Sequence, residues 1–268
     1  MAPVSNLMAE AQVSYDALRK ELASPSADLA KCGALVSKLK LTLVQMNYLT
    51  LTGPQKPATP ALALVRDILE TAALYAVRVK DVDNFERYVA QLKTYYAVLR
   101  HELPESPRMY LVLGLNLLHL LAQGRIAAFH TEIELIDIEQ LTANVYIKHS
   151  CDVERCLMEG SYNKLWNARR NAPAEEYHFF MEVLMTTIRE EIAKCFASAY
   201  VDFPVQDAVT MLHLENAQAV AVFAKEHNWT IKDGKIGFRS SDDKTDEIPA
   251  QAIINNALSY TRELERIV

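Results

Sequence analysis

Glycine is scarce in this chain, with seven residues in 268, and together with abundant Leu and Ala this favours helices over sheets. Cysteine is scarcer still. Cys32, Cys151, Cys156 and Cys195 show no disulfide-framework spacing, which places the chain in a reducing compartment, cytoplasmic or nuclear. The most apolar stretch, 109–124, is interrupted by Asn116 and His119 and falls short of the ~18 apolar residues a spanning helix needs. The opening MAPVSNLMAEAQ lacks the basic and apolar regions of a secretory signal. An excess of positive charge is missing too. A net charge of −6 disfavours general phosphate neutralisation on nucleic acid and docking on an anionic membrane surface.

Catalytic signatures are absent as well. The chain has no GxSxG, GxGxxG, P-loop or HExxH, and no paired-histidine H-x-H core of a metal-dependent deubiquitinase. Cys151 and Cys156 stand five residues apart with His149 just before them, a spacing that turns them to different helix faces. They read as small buried hydrophobes, not zinc ligands. His178 beside Glu175 and Glu176 reads as the solvated first turn of a helix. Cys195 falls in an apolar stripe and reads as core. No catalytic, cofactor-binding or metal-ligating residue is expected, and the chain is not read as an enzyme.

What is present is helical periodicity. The stretch 151–200 reads as three helices broken at Glu159-Gly160-Ser161 and at Asn171-Ala172-Pro173. In the third, Phe180, Leu184, Ile188, Ile192, Cys195 or Phe196 and Ala199 form one stripe, with Met181 and Met185 beside it and Glu190 four before Lys194. Upstream, residues 1–22 carry a weak helical pattern through Leu7, Val13 and Leu18, and Ser24-Pro25-Ser26 breaks it. A helix over about 29–48 puts Leu35, Leu39, Leu43 and Met46 on one side. Pro54, Pro57 and Pro60 mark a surface loop, with Thr59 capping the next helix.

A repeat then emerges. One helix ends near Lys80 and the next opens with Asp83 as cap and Glu86 three residues on. A later pair opens with Ser106 as cap before Pro107 and turns at Gln123-Gly124; a third turns at Gly160-Ser161. After each turn an apolar residue is followed three later by another: Val82 and Phe85, Ile126 and Phe129, Tyr162 and Leu165. The offsets of 44 and 36 residues suit degenerate helical-hairpin repeats of a short α-solenoid.

Beyond Tyr200 the texture changes. Phe203-Pro204 starts a short helix through Leu214, Asn216 caps another through His227, and Asn228 leaves it in a left-handed conformation. WTIKDGKIGF, 229–238, reads as a hairpin with Asp233-Gly234 at its tip. Helix, helix, helix, β-ribbon is the order of a winged helix. From Val201 onward seven Lys or Arg face eleven Asp or Glu, and the third helix offers only Gln218 and Lys225, the latter beside Glu226. That is a poor groove reader. The acidic segment 242–247 follows, and a last helix over 249–268 carries Ile253 or Ile254, Ala257, Thr261, Leu264 and Ile267 or Val268 at helical spacing.

FERYVAQLKTYY (85–96), LPESPRMYLVLGLNLLHLLAQGR (103–125), NVYIKHSCDVERCLMEGSYNKLW (144–166) and the ending RELERIV resemble one family. It is the non-ATPase regulatory subunit 8 family of the 26S proteasome, PCI-domain proteins of the lid. The similarity runs from about Leu29 to Val268; residues 1–28, the loop at 53–60, and the wing and acidic linker after Phe238 depart from it. The resemblance implies a mostly α fold: a right-handed helical-hairpin array followed by a winged helix and a C-terminal helix. The expected divisions are helical repeats over 1–78 and a PCI domain over 79–248. The PCI domain is divided into repeats to about 173, a winged helix over about 174–240 and an acidic linker. An assembly helix over 249–268 completes the chain.

The implied function is structural and non-catalytic, within a lid that supports ubiquitin-dependent proteolysis. The implied partners are other PCI and MPN subunits, with base subunits as further neighbours, and no nucleic acid, membrane or stand-alone homo-oligomer. Candidate partner-binding residues are Trp229, Ile231, Ile236 and Phe238 on the wing and Ile253, Ile254, Ala257, Leu264 and Ile267 on the last helix. A PCI subunit of the signalosome or of a translation initiation factor is the alternative within the class. A nucleic-acid-binding winged helix is the alternative outside it.

Overall fold

The computed structural model describes residues 4–23, 28–45, 59–100, 103–214, 216–232, 234–238 and 250–266. Those residues form thirteen helices and three short strands, divided into two compact units, 1–188 and 189–268. In the first unit α1 (Val4–Ala23) packs on α2 (Leu29–Gln45), and α3 (Thr59–Val79) packs on α4 (Val82–Val98). Next, α5 (Met109–Ala122) meets α6 (Ile126–Glu134), and α7 (Ile138–Ala143) leads into α8 (Val145–Met158). α8 lies against both α5 and α9 (Tyr162–Arg170). α10 (Glu175–Ala199) runs through the division at Ile188.

Helices fold back on one another because their last turns close in one way. At Lys80, Gly124 and Gly160 the backbone is left-handed, with φ of 63°, 71° and 67°. The next residue's N–H then reaches back five positions: Asp81 to the Ala76 carbonyl, Arg125 to Leu120 and Ser161 to Cys156, each at 2.9 Å. This is the six-to-one bond of a Schellman turn, which satisfies carbonyls the helix end would otherwise leave open. Each new helix then drives its second apolar anchor inward, so Phe85, Phe129 and Leu165 are all fully buried. The same closure recurs in the second unit at His213 and at Asn228, the latter as expected.

Gly160 has nothing within 4 Å of where a Cβ would stand, so replacing it tests the backbone alone. Gly160→Val should cost about 1–2 kcal/mol, the left-handed penalty of a β-carbon. Ser161→Ala should do less, because the Ser161 side chain makes no capping bond. Thermal melts of the two variants check this, and an unshifted valine variant would remove the left-handed assignment.

The core of the first unit is centred on α3 and α5. From Gly114 to Ala122 every residue of α5 is buried, including Asn116 and His119, the two polar residues that interrupt this apolar stretch. His119 packs edge-on against Phe85 with centroids 5.9 Å apart, and burial pushes its pKa below the usual histidine value. On α10, Phe180, Met181, Leu184, Met185, Ile188 and Ile192 are buried as the stripe requires.

Several local expectations are corrected. Phe196, not Cys195, takes the next inward position; Cys195 is exposed, because the bulkier of two adjacent side chains claims the interior. Cys151 and Cys156 are only partly buried. Lys194 pairs with Glu191 at 2.7 Å, where Glu190 was expected. Asp81, not Asp83, caps α4: its carboxylate accepts the Asn84 N–H at 3.1 Å. Ser106 does not cap α5, which starts three residues later; its hydroxyl donates to Glu70 at 2.7 Å. Val13 points outward, while Ala11, Tyr15 and Leu18 point in. Ser24-Pro25-Ser26, Met46, Pro54, Pro57, Asp233, the acidic segment 242–247, Ile267 and Val268 lie outside the described residues, as does the Leu7 side chain.

In the second unit β1 (Asp202–Pro204) precedes α11 (Val205–Met211) and α12 (Ala217–Glu226), and β2 (Thr230–Lys232) and β3 (Lys235–Gly237) form the hairpin. The sheet runs β1-β3-β2, antiparallel throughout, with Phe203 opposite Ile236 and both buried. Phe203-Pro204 is therefore a strand and not a helix start. Gly234 turns the hairpin at φ 73°. With the last turns of α10 ahead of them, these elements have the order of a winged helix, a mostly α fold of PCI type. α13 (Ala250–Glu265) ends the described chain.

Candidate interaction surfaces

α13 is sixteen residues long and none of them is buried. At 100° per residue, Ile253, Ile254, Ala257, Leu258, Tyr260 and Leu264 cover one half of the helix. Gln251, Asn255, Ser259, Arg262 and Arg266 occupy the other. The apolar half stands open: Ile253, Ile254, Leu258 and Leu264 are 54–57% exposed and Tyr260 is 73% exposed. Leu258 and Tyr260 were absent from the expected set. The same spacing identifies them, since Leu258 lies four residues after Ile254 and Tyr260 seven after Ile253. Ile267 lies outside the described residues.

The four expected wing residues separate. Ile236 is fully buried as the middle of the central strand, so it is core and presents no contact surface. Trp229 and Phe238 are half-buried against each other, ring centroids 4.8 Å apart and nearly perpendicular. Trp229 also stacks on His227 at 5.3 Å, which anchors the hairpin to α12. Ile231, on the edge strand β2, is 43% exposed. The outward residues of α12 are Gln218, Val222, Lys225 and Glu226.

Among the described residues, burial shifts two titratable groups of α8 toward their neutral forms. Burial raises the Cys151 thiol, which disfavours the thiolate a nucleophile needs. Burial likewise lowers His149 and keeps it neutral. Among the described residues no group of three or more His, Cys, Asp or Glu is placed to hold a metal ion, and no helix is long and apolar enough to cross a membrane.

A helical array and a winged helix followed by a terminal helix with an exposed apolar half form a protein-interaction architecture of PCI type. The model of the CSN8/PSMD8/EIF3K family matches residues 107–247. The 26S proteasome non-ATPase regulatory subunit 8 homolog A of Arabidopsis thaliana is 40% identical over 262 residues, 96% of this chain and 98% of that relative. The 26S proteasome regulatory subunit rpn12 of Schizosaccharomyces pombe is 33% identical, over 90% of this chain and 94% of its own length. RPN12 of Saccharomyces cerevisiae is 31% identical over 92% and 96%. The chain belongs to the CSN8/PSMD8/EIF3K family.

Proposed function

We propose that this chain is a non-catalytic structural and assembly subunit of the lid of the 26S proteasome regulatory particle, supporting ubiquitin-dependent degradation in the cytoplasm and nucleus. The observation that carries the mechanism is α13, an amphipathic helix with its whole apolar half in solvent. A lone helix of this length is marginal in water, so its stable form is one in which that face is covered. Burial of Ile253, Ile254, Leu258 and Leu264 contributes roughly 1.5–3 kcal/mol each before ordering costs. The covering surface proposed is a bundle of C-terminal helices from other PCI and MPN lid subunits, with the wing docking beside a neighbouring winged helix through Trp229, Ile231 and Phe238. Relatives named as proteasome regulatory subunits, aligned over nearly their whole length, support this over a signalosome or initiation-factor role.

Leu264→Asp, or removal of the chain from Pro249 onward, should leave the melting curve of the isolated protein nearly unchanged, because no residue of α13 is buried among the described residues. The same variants should fail to copurify with the proteasome from cells that carry them as the only copy. Full incorporation of either variant, or a free form that no longer folds, would return α13 to its own domain. Copurification of the unmodified protein with signalosome or initiation-factor subunits, and not with proteasomal ATPases, would move the assignment within the family.

A further inference from the structure

A groove of about 290 Å³ opens between the end of α4, the start of α5 and the α6–α7 connection. Tyr96, Met109, Tyr110 and Leu113 line it, and its outer lip is apolar as well: Leu135 is 69% exposed, and Ile138, just past Asp137, is 81% exposed. Two ion pairs cross its margin, Lys93 to Glu132 at 2.6 Å and Arg100 to Asp137. The wall is held in place from behind, because the Tyr96 hydroxyl donates to the buried Glu70 at 2.8 Å. Such a wall needs little ordering when a ligand arrives.

Charge identifies the occupant. From 126 to 147 the chain has no Lys or Arg, yet it carries Glu132, Glu134, Asp137 and Glu139. Lys93 and Arg100 neutralise the first and third of these. The carboxylates of Glu134 and Glu139 are exposed and in no ion pair among the described residues, so the lip keeps a negative surplus beside Leu135 and Ile138. An apolar groove between helices takes an apolar anchor from an amphipathic helix. An acidic lip selects one whose flanks are cationic. A second copy of this chain does not fit that description, since the exposed end of α13 balances Arg262 and Arg266 with Glu263 and Glu265.

We propose that this groove is a docking surface separate from α13, and that it takes an apolar side chain from a partner protein's helix flanked by Lys or Arg. The full chain is titrated with a fluorescein-labelled helical peptide of leucine and lysine, against a leucine–glutamate peptide of the same pattern and a scrambled leucine–lysine peptide. The amphipathic cationic peptide alone should bind, with an affinity that falls as salt rises, and should protect amides in 93–100 and 132–139 from hydrogen exchange. Leu135→Ser with Ile138→Ser should weaken binding about tenfold without moving the melting temperature, since both side chains are exposed. Glu134→Lys with Glu139→Lys should weaken it and flatten the salt dependence. Ile254→Asp on α13 should leave it unchanged, which separates this groove from the assembly role proposed for α13. Absence of binding, protection confined to α13, or groove variants that bind like wild type would overturn the proposal.

Discussion

Glu70→Ala should destabilise the protein by about 3–5 kcal/mol, the cost of removing one partner from a buried charged network. Glu70 is 1% exposed. Its carboxylate accepts from the Ser106 hydroxyl at 2.7 Å and the Tyr96 hydroxyl at 2.8 Å, with the Arg66 guanidinium 3.8 Å away. Arg66 also donates to the Pro104 carbonyl, and Arg108 donates to Thr71 at 3.1 Å. The 103–108 connection is thus tied to α3 by three polar bonds, one of them to this carboxylate, and alanine leaves two hydroxyls without their acceptor.

Glutamine separates shape from charge at this position. Its amide can accept from one hydroxyl and donate to the other, so Glu70→Gln should cost under about 1 kcal/mol. Burial raises Glu70 above the ordinary 4.5, against hydrogen bonds from Ser106 and Tyr96 and the charge of Arg66, which lower it. A carboxyl raised on folding binds its proton more tightly in the native state. Its contribution is full below the unfolded value and is lost as pH rises through the folded one. The stability of Glu70→Gln relative to wild type should therefore improve as pH climbs from about 4.5 toward neutrality. Urea melts across that range check the sign, and a difference that moves toward wild type would mean the ionised carboxylate is the favoured form.

Neither this network nor the groove beside it was legible in the sequence. Glu70 meets Ser106 across 36 residues, and Lys93 meets Glu132 across 39. No periodicity links such partners, because the pairing depends on how the hairpins stack. What was legible is local. Gly124, Gly160 and Asn228 are residue types suited to a left-handed helix end, and each marked a turn. Lys80 and His213 adopt the same conformation without that chemistry, so their turns had to be inferred from neighbouring residues. The three buried anchors after the first turns were legible for the same local reason.

Strand β1 shows the opposite case. Three residues ending in Pro204 resemble a helix entrance, and a helix does begin at Val205. Only pairing with β3, some thirty residues on, makes Asp202–Pro204 a strand, and proline is tolerated there because β1 is an edge. In α10, periodicity left Cys195 and Phe196 equally placed, and side-chain volume decided between them. The apolar half of α13 was read in part: Ile253, Ile254, Ala257 and Leu264 were placed on it, while Leu258 and Tyr260 were missed although the same spacing carries them. Its openness to solvent was not, since a sequence does not state what covers a face.

Gly114→Ala should cost roughly 1–3 kcal/mol even though alanine is the better helix former, and Tyr177→Phe should recover much of the loss. Gly114 lies in the fully buried stretch of α5, where α8 and α10 both come close. Its carbonyl accepts from the Ser150 hydroxyl at 3.1 Å. A Cβ at Gly114 would stand 2.0 Å from the Tyr177 hydroxyl oxygen and 3.2 Å from the Tyr146 carbonyl. Tyr177 has no room to retreat, being fully buried, with its hydroxyl 3.4 Å from the Tyr146 carbonyl and its ring beside His149. Removing that one oxygen leaves the ring's Cζ as the nearest atom of Tyr177, 3.2 Å from the new Cβ, a contact that a small shift absorbs. The double variant should therefore melt well above Gly114→Ala alone, with a coupling on the order of 1–2 kcal/mol in a double-mutant cycle. Valine at the same site adds two further methyl groups to a Cβ already 3.2 Å from the Tyr146 carbonyl and should remain destabilised in either background. Additive single effects would place the strain of Gly114→Ala in the α5–α8 backbone approach instead of at the Tyr177 oxygen.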